Sequence, residues 1–227
     1  IRSSGVYFTT SISRGKRYFG AKIIPNRGAW LEFETDAEGA IYVKIDRKRK
    51  IAATALLRVF GMTDSIAIAD AFKDIDTGEV SFIKKTLEKD STKTGEDAFI
   101  ELYKRIRPGD LATVDNARTL IRTMFSAERY DLGDVGRYKF VQRLNLPKDD
   151  KGKILTVKEV TAVMHEIILL NNIGNIPADD IDHLGNRRVR GVGELLQNKL
   201  RVGVSRMVRI IRDRMSTLDP VTLAPAQ

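Results

Sequence analysis

The hydrophobic pattern of this chain changes once, near residue 50, and that change limits the folds available to it. Before it, β-branched and aromatic residues alternate or run together in short segments, which the turn sequences PNRG and DAEG separate. After it, apolar residues recur with the period of an α-helix. Strands followed by helices predict an α+β fold, with N-terminal antiparallel strands, a helix-rich continuation and a long C-terminal amphipathic helix.

The predicted strands and helices have recognisable ends. Gly61 closes the first helix, Thr63 or Asp64 caps the second, and Thr156 with Glu159 has capping-box spacing. Residues 73–94 are polar, and either a strand or a short helix remains open there. The strands are 17–24, 29–35 and 40–45, preceded by a turn and strand in 1–12; the helices are 51–61, 63–72, 95–106, 114–125, 134–145, 156–172 and 189–215.

The positive charge is concentrated in two segments. The chain has 39 basic and 30 acidic residues, a formal net charge of +9. Residues 44–50 contain five basic residues and one acidic residue, and residues 187–214 contain nine and two. The rest of the chain holds 25 basic and 27 acidic residues. Such concentration is typical of a surface that meets a polyanion.

The last predicted helix separates apolar from basic side chains. At ~100° per residue, Arg209 lies nearly opposite the centre of a narrow apolar stripe. A solvated basic face is the ordinary explanation, but two acids among nine basic residues provide few i,i+4 ion pairs. A partner that carries phosphates is therefore favoured. The stripe consists of Leu196, Leu200, Val204, Met207 and Ile211.

The segment DDIDH (179–183) contains possible metal ligands. Asp180, Asp182 and His183 could bind a metal and support a metal-dependent nuclease. Loop aspartates before a helix more often cap it or pair with nearby arginines. Arg187, Arg188 and Arg190 are the nearby arginines here, so capping and pairing are favoured over metal binding.

Other signatures of catalysis or membrane insertion are missing from the sequence. There is no cysteine, no phosphate-binding loop, and no second histidine four residues after His165, which we expect on a helix surface. No window approaches the ~18 apolar residues of a membrane span, and no signal peptide is recognisable. We expect a cytosolic chain without an active site of its own, and, since it starts at Ile1, a segment of a longer polypeptide.

Trp30 is the one tryptophan of the chain and lies in a predicted strand. A single tryptophan in a strand is usually a core or half-core residue. The alternative is an exposed platform on which an unpaired base stacks.

Six segments, in order, resemble the beta subunit of bacterial RNA polymerase. The resemblance covers nearly the whole chain and is poorest over 62–95. It implies a lobe domain over 1–178 and a returning part of the protrusion domain over 179–227. The segments are RSSGVYF (2–8), KIIPNRGAWLEFE (22–34), IYVKIDRKRK (41–50), YKRIRPGD (103–110), ERYDLGDVGRYK (128–139) and DDIDHLGNRRVRGVGELLQNKLRVGVSRMVRIIRDRM (179–215).

The resemblance also implies a function and partners. The lobe would line the downstream DNA channel and contact the non-template strand of the open bubble, within a cytoplasmic, nucleoid-associated complex. Its partners would be DNA, the alpha, beta-prime and omega subunits, sigma factor and further transcription factors. We expect no cofactor in this chain, because magnesium and zinc would belong to beta-prime. The alternative is a surface that mainly docks initiation or repair-coupling factors.

The family's DNA contacts carry over by motif. Arg2, Ile181, Asp182 and Arg187 would form a pocket for a flipped-out non-template guanine. Trp30 would stack on the adjacent base. Arg107, Arg129 and Arg209 would line the path of the strand's backbone. Arg47 would face the channel, with Asp46 and Arg49 as further candidates there. Ser4 stands where the family usually has proline, which predicts a looser turn behind Arg2.

Overall fold

A five-stranded antiparallel sheet occupies the N-terminal part of the chain. The computed structural model describes residues 1–147 and 152–217. Each strand pairs with the next along the chain, so the sheet is a simple meander. The three predicted strands and the strand predicted in 1–12 are confirmed, while the last, short strand lies at the start of a segment predicted as helix. The strands are β1 Gly5–Ser13, β2 Lys16–Ile24, β3 Leu31–Thr35, β4 Ile41–Ile45 and β5 Ile51–Ala52.

Helices follow the sheet, which confirms the α+β prediction. The open segment 73–94 contains the short helix α3. The last helix begins at Val192, three residues later than predicted, since Gly191 before it opposes helix formation through its conformational freedom. The helices in the described residues are α1 Ala53–Val59, α2 Ser65–Ala71, α3 Phe82–Lys89, α4 Gly95–Ile106, α5 Val114–Met124, α6 Gly133–Arg143, α7 Val157–Ile173 and α8 Val192–Thr217.

Two of the predicted helix caps are confirmed. The side chain of Asp64 accepts a hydrogen bond from the Ile66 N–H at the start of α2. Thr156 and Glu159 form the capping box of α7, and Glu159 also accepts a hydrogen bond from Arg137 at 2.7 Å. Burial alone would raise the pKa of Glu159, but hydrogen bonds from Thr156 and Arg137 hold that pKa below its usual value.

The sheet has one face in the main core and one face that carries polar and aromatic residues. Paired residues such as Ile23 and Leu31 point into the core, because side chains alternate between the two faces of a strand. Lys22 pairs with Glu32 on the other face, where their charged groups lie 3.6 Å apart. The candidate site is built on this second face.

The main core also fixes His165, which we expected on a helix surface. That prediction is wrong. The imidazole is half-buried against the ring of Phe72, at 4.7 Å between centroids, and its Nε2 lies 2.8 Å from the carbonyl oxygen of Ala71. A hydrogen bond to the end of α2 makes the burial of this polar ring acceptable.

The chain divides into two compact units. The main unit contains Arg2–Asn186, and the α8 unit contains Ile1 with the residues from Arg187 onward. The assignment of residues 1–178 to a lobe and 179–227 to a protrusion stays a prediction. Within the described residues, no helix has the length and apolar character needed to cross a membrane.

Candidate nucleic-acid interface

The loop that follows α7 is fixed to the edge strand β1. The Asp179 N–H donates to the Phe8 carbonyl at 2.8 Å, and the Phe8 N–H donates to the Asp179 carboxylate at 2.7 Å. One Asp180 oxygen accepts the N–H groups of Asp182 and His183 at 3.0 and 3.1 Å. Asp179 and Asp180 thus order the loop by binding backbone groups, as loop aspartates commonly do.

Asp182 forms an ion pair with Arg2, at 3.2 Å between Oδ1 and Nη2. The Asp182 side chain is 64% exposed and that of Arg2 is 33% exposed, so the pair remains open to solvent. The turn behind Arg2 is held by the Ser3 N–H, which donates to the Asn186 carbonyl at 2.8 Å. A carboxylate and a guanidinium therefore stand side by side at an accessible edge of the main unit.

Asp180 binds backbone N–H groups, as expected of a loop aspartate, while the pairing of these aspartates with Arg187, Arg188 or Arg190 stays a prediction. Within the α8 unit, Glu194 forms two hydrogen bonds with Arg188, at 2.5 and 2.8 Å, and its Oε1 lies 3.6 Å from the Nε of Arg190. The hydrogen bonds from Arg188 lower the pKa of Glu194. Arg187 is exposed, and no ion pair of it occurs in the part of the chain that the structure describes. The acid that pairs with these arginines thus comes from α8 itself.

Ile181 joins the ion pair to an apolar surface. Ile181 is buried and contacts a small cluster, separate from the main core, that contains Tyr7, Ile24 and the half-buried Trp30. The indole is therefore partly covered from behind and partly accessible. This burial agrees with the half-core interpretation of Trp30 and leaves part of the ring available for stacking.

The backbone of Trp30 is held by Asp46. The Trp30 N–H donates to Asp46 Oδ1 at 2.8 Å, and the Asp46 N–H donates to the Trp30 carbonyl at 2.9 Å. The Arg47 guanidinium lies 5.8 Å from the centroid of the indole ring. A cavity of about 220 Å³ is lined by Trp30, Asp46 and Arg47.

A second loop supports the segment before Trp30. Arg27 and Asp131 exchange backbone hydrogen bonds at 3.0 and 2.8 Å. Gly28 has φ +124°, and a Cβ there would lie 2.7 Å from the ring of Tyr130, so no other residue fits without a shift. Burial raises the pKa of Tyr130, whose phenol stays neutral. Arg129, which is exposed, lies in this supporting loop.

Five of the nine predicted site residues are linked by contacts. Arg2 binds Asp182, Trp30 packs against the apolar cluster that contains Ile181, and Arg47 lies over Trp30. Arg107 follows α4 and lies 3.9 Å from Asp110; no contact joins it to the other site residues in the described ranges. Arg187 and Arg209 belong to the α8 unit, where both are exposed.

Three residues that organise the site were not predicted. They lie beside predicted residues, on the same face of the sheet. The alternation of side chains along the strands could have indicated them, since each is two residues from, or cross-strand to, a residue of that face. They are Tyr7, Ile24 and Glu32.

The basic side chains of α8 are exposed and mostly without acidic partners. Within the described residues, Lys199, Arg201, Arg206, Arg209 and Arg212 form no ion pair. The apolar stripe of the same helix is exposed as well. Among the described residues, no cluster of three or more His, Cys, Asp or Glu is arranged to bind a metal ion.

Comparison with known proteins defines the class of this chain. A family model described as RNA polymerase Rpb2, domain 2, matches residues 2–190. The chain belongs to this family.

The relatives specify which polymerase subunit it resembles. The chain is 45% identical to the DNA-directed RNA polymerase subunit beta of Synechocystis sp., and 46% identical to those of Gloeobacter violaceus and Thermosynechococcus vestitus. These alignments cover 100%, 100% and 99% of this chain and 20% of each relative. The chain thus spans about a fifth of the length of the curated relatives, and its resemblance to bacterial beta subunits is confirmed.

Proposed function

We propose that this chain is a non-catalytic module of DNA-directed RNA polymerase that lines the downstream DNA channel and contacts the non-template strand of the open bubble. The observation that carries the proposal is the apolar cluster of Tyr7, Ile24 and Ile181, which lies next to the Arg2–Asp182 pair through Ile181 and has Trp30 packed against it. It combines a hydrogen-bonding edge, an apolar wall and an aromatic face within one unit. Those are the three features by which proteins bind bases outside a duplex.

The chemistry of this site favours guanine beside a second, stacked base. The Asp182 carboxylate can accept hydrogen bonds from the N–H groups on the Watson–Crick edge of guanine, and the other three bases offer fewer donors there. Arg2 would compensate the carboxylate's charge and orient it. Trp30 offers its ring to any base, because stacking is tolerant of sequence.

The proposal extends to the whole complex. Nucleotidyl transfer would require the alpha, beta-prime and omega subunits, with magnesium and zinc held by beta-prime, and sigma factor at initiation. The complex would act in the cytoplasm, in association with the nucleoid. We expect this chain alone to synthesise no RNA.

The proposal is tested by Asp182→Ala in the assembled polymerase. We expect a weaker preference for guanine at a single non-template position, by about 1–3 kcal/mol, the usual cost of one base-specific contact. The measurement compares the stability of open complexes on four promoters that differ only at that position. Asp134→Ala is the matched control, since Asp134 is also an exposed partner in an ion pair, with Lys153 at 3.0 Å.

A loss that is equal for all four bases would contradict the guanine pocket and would make Asp182 a purely structural residue. An unchanged preference in the Asp134 variant is required for the comparison to hold.

A second candidate function is the docking of initiation or repair-coupling factors. The exposed apolar stripe of α8, beside the basic face of the same helix, favours it. A surface that docks proteins commonly presents exposed apolar area of this kind.

A further inference from the structure

The turn that carries Arg47 has an unusual sequence for its geometry. β4 ends at Ile45, whose carbonyl accepts a hydrogen bond from the Lys48 N–H at 2.9 Å. The two residues between them, Asp46 and Arg47, have φ +47° and +59°. This is the geometry of a type I′ turn, which favours Asn, Asp or Gly first and Gly second. An arginine at the second position is strained, and strained positions often coincide with functional sites.

The consequence of this geometry is the placement of a guanidinium over the indole. The backbone of Trp30 exchanges two hydrogen bonds with Asp46, and its ring packs on one side against the cluster of Tyr7, Ile24 and Ile181. The Arg47 side chain is 76% exposed, and its one ion pair within the described residues is with Glu32, whose Oε1 lies 3.8 Å from Nε. Two flat groups that enclose a third must be about 7 Å apart, twice the van der Waals spacing. The Cζ of Arg47 lies 5.8 Å from the centroid of the indole ring, so the guanidinium would have to move outward by a modest distance to admit one base.

The charges around Arg47 distinguish a base from a phosphate. Asp46 lines the cavity with Arg47, and Glu32 lies beside the guanidinium. The two carboxylates offset the charge of this one guanidinium and lower its attraction for a phosphate, while the other basic residues of 44–50 keep the surrounding segment positive. A neutral base does not depend on that charge, and its ring can stack on a guanidinium plane.

We propose that Arg47 forms the second face of a stacking slot, in which Trp30 and Arg47 enclose one unpaired base. This inference rests on the proposed function and specifies it further, because it assigns Arg47 to a base instead of the channel in general. Asp46 and Glu32 are positioning residues: Asp46 holds the backbone that carries the indole, and Glu32 holds the guanidinium near the ring.

The test uses the 227-residue chain and its one tryptophan as the reporter. The probes are a single-stranded oligothymidylate and an abasic oligonucleotide of the same length, which has the same phosphates and no bases. We expect the oligothymidylate to quench Trp30 fluorescence and to bind more tightly than the abasic probe. Arg47→Lys keeps the charge and loses the flat stacking surface. Arg47→Ala loses both.

We expect each variant to bind the oligothymidylate about tenfold more weakly, and the abasic probe with unchanged affinity. Two results would make Arg47 a phosphate contact and overturn the inference. The first is a lysine variant that binds oligothymidylate as tightly as wild type does. The second is an alanine variant whose affinities for the two probes fall equally. The proposed function would survive that result if Trp30→Ala still removed the preference for the base-bearing probe. Equal binding of both probes by the unmodified chain would overturn the inference and the proposed use of Trp30 together.

Discussion

Arg47 occupies a backbone conformation that glycine adopts at lower energy. Left-handed φ values cost an L-residue roughly 1–2 kcal/mol, so we expect Arg47→Gly to raise the free energy of unfolding by about 1 kcal/mol. The same variant should bind oligothymidylate more weakly, because it has no guanidinium. Urea unfolding measures the change in the free energy of unfolding.

Arg49→Gly is the matched control, because Arg49 is also an exposed arginine and has no positive φ. It should be no more stable than wild type, since glycine increases the entropy of the unfolded chain. A less stable Arg47→Gly protein would show that the turn is not strained.

Individual side chains of the site were predictable only in part. The motifs around Trp30 and Asp182 identified both residues. The reciprocal hydrogen bonds between Trp30 and Asp46 were not predicted, because they depend on the exact register of β3 and β4. A one-residue error in the predicted start of a strand is enough to hide such a pair.

Among the helices, the first turn of α7 is joined to α6 by a buried ion pair. Glu159 is 1% exposed, caps its own helix and binds Arg137. Glu159→Gln removes the ionised carboxylate that Arg137 contacts inside the fold, and we expect a loss of about 3 kcal/mol in the free energy of unfolding. Glu88→Gln on α3, an exposed position, should have little effect.

Because of the same ion pair, we expect the free energy of unfolding to depend on pH. The pKa of Glu159 is lower in the folded chain than its ordinary value of 4.5, so its ionised form stabilises the fold fully above pH 4.5. That contribution is lost as the pH falls further, through the lowered pKa. The difference in unfolding free energy between wild type and Glu159→Gln should therefore shrink in acid, as urea titrations at several pH values would show. A difference that stays constant would mean that Glu159 is not ionised in the fold.

The local sequence predicted the helices and strands more reliably than it predicted the contacts between them. The capping box of α7 is a signal within four residues, and it was predicted. The helical pattern within residues 73–94 covers only the eight residues of α3 and is surrounded by polar residues, so the helix could not be separated from a strand. His165 was misplaced because its burial depends on the end of α2, which lies 94 residues earlier in the chain.

For the whole molecule, the candidate site depends on contacts between distant parts of the chain. Arg2 meets Asp182 because the loop after α7 returns to the edge of β1, which no local pattern encodes. The resemblance to a family supplied that information for Arg2, Ile181 and Asp182. It did not reveal Tyr7 and Ile24, which form the apolar cluster that joins this pair to Trp30.

The charge of α8 leads to a prediction that separates the two candidate functions. Each phosphate that a protein neutralises on a single strand contributes about 0.7 to the slope of log affinity against log salt concentration. If the basic face of α8 binds the strand's backbone, replacing Arg201, Arg206 and Arg209 by glutamine should reduce the slope by about 2. Replacing Lys16, Lys73 and Lys84 of the main unit removes the same charge and should change the slope less, because these exposed lysines lie outside the two basic segments.

Binding of a single-stranded oligonucleotide at four salt concentrations measures both slopes. An unchanged slope in the α8 variant would remove DNA as the ligand of this helix and leave its exposed apolar stripe, and therefore a protein partner, as the reason for its surface.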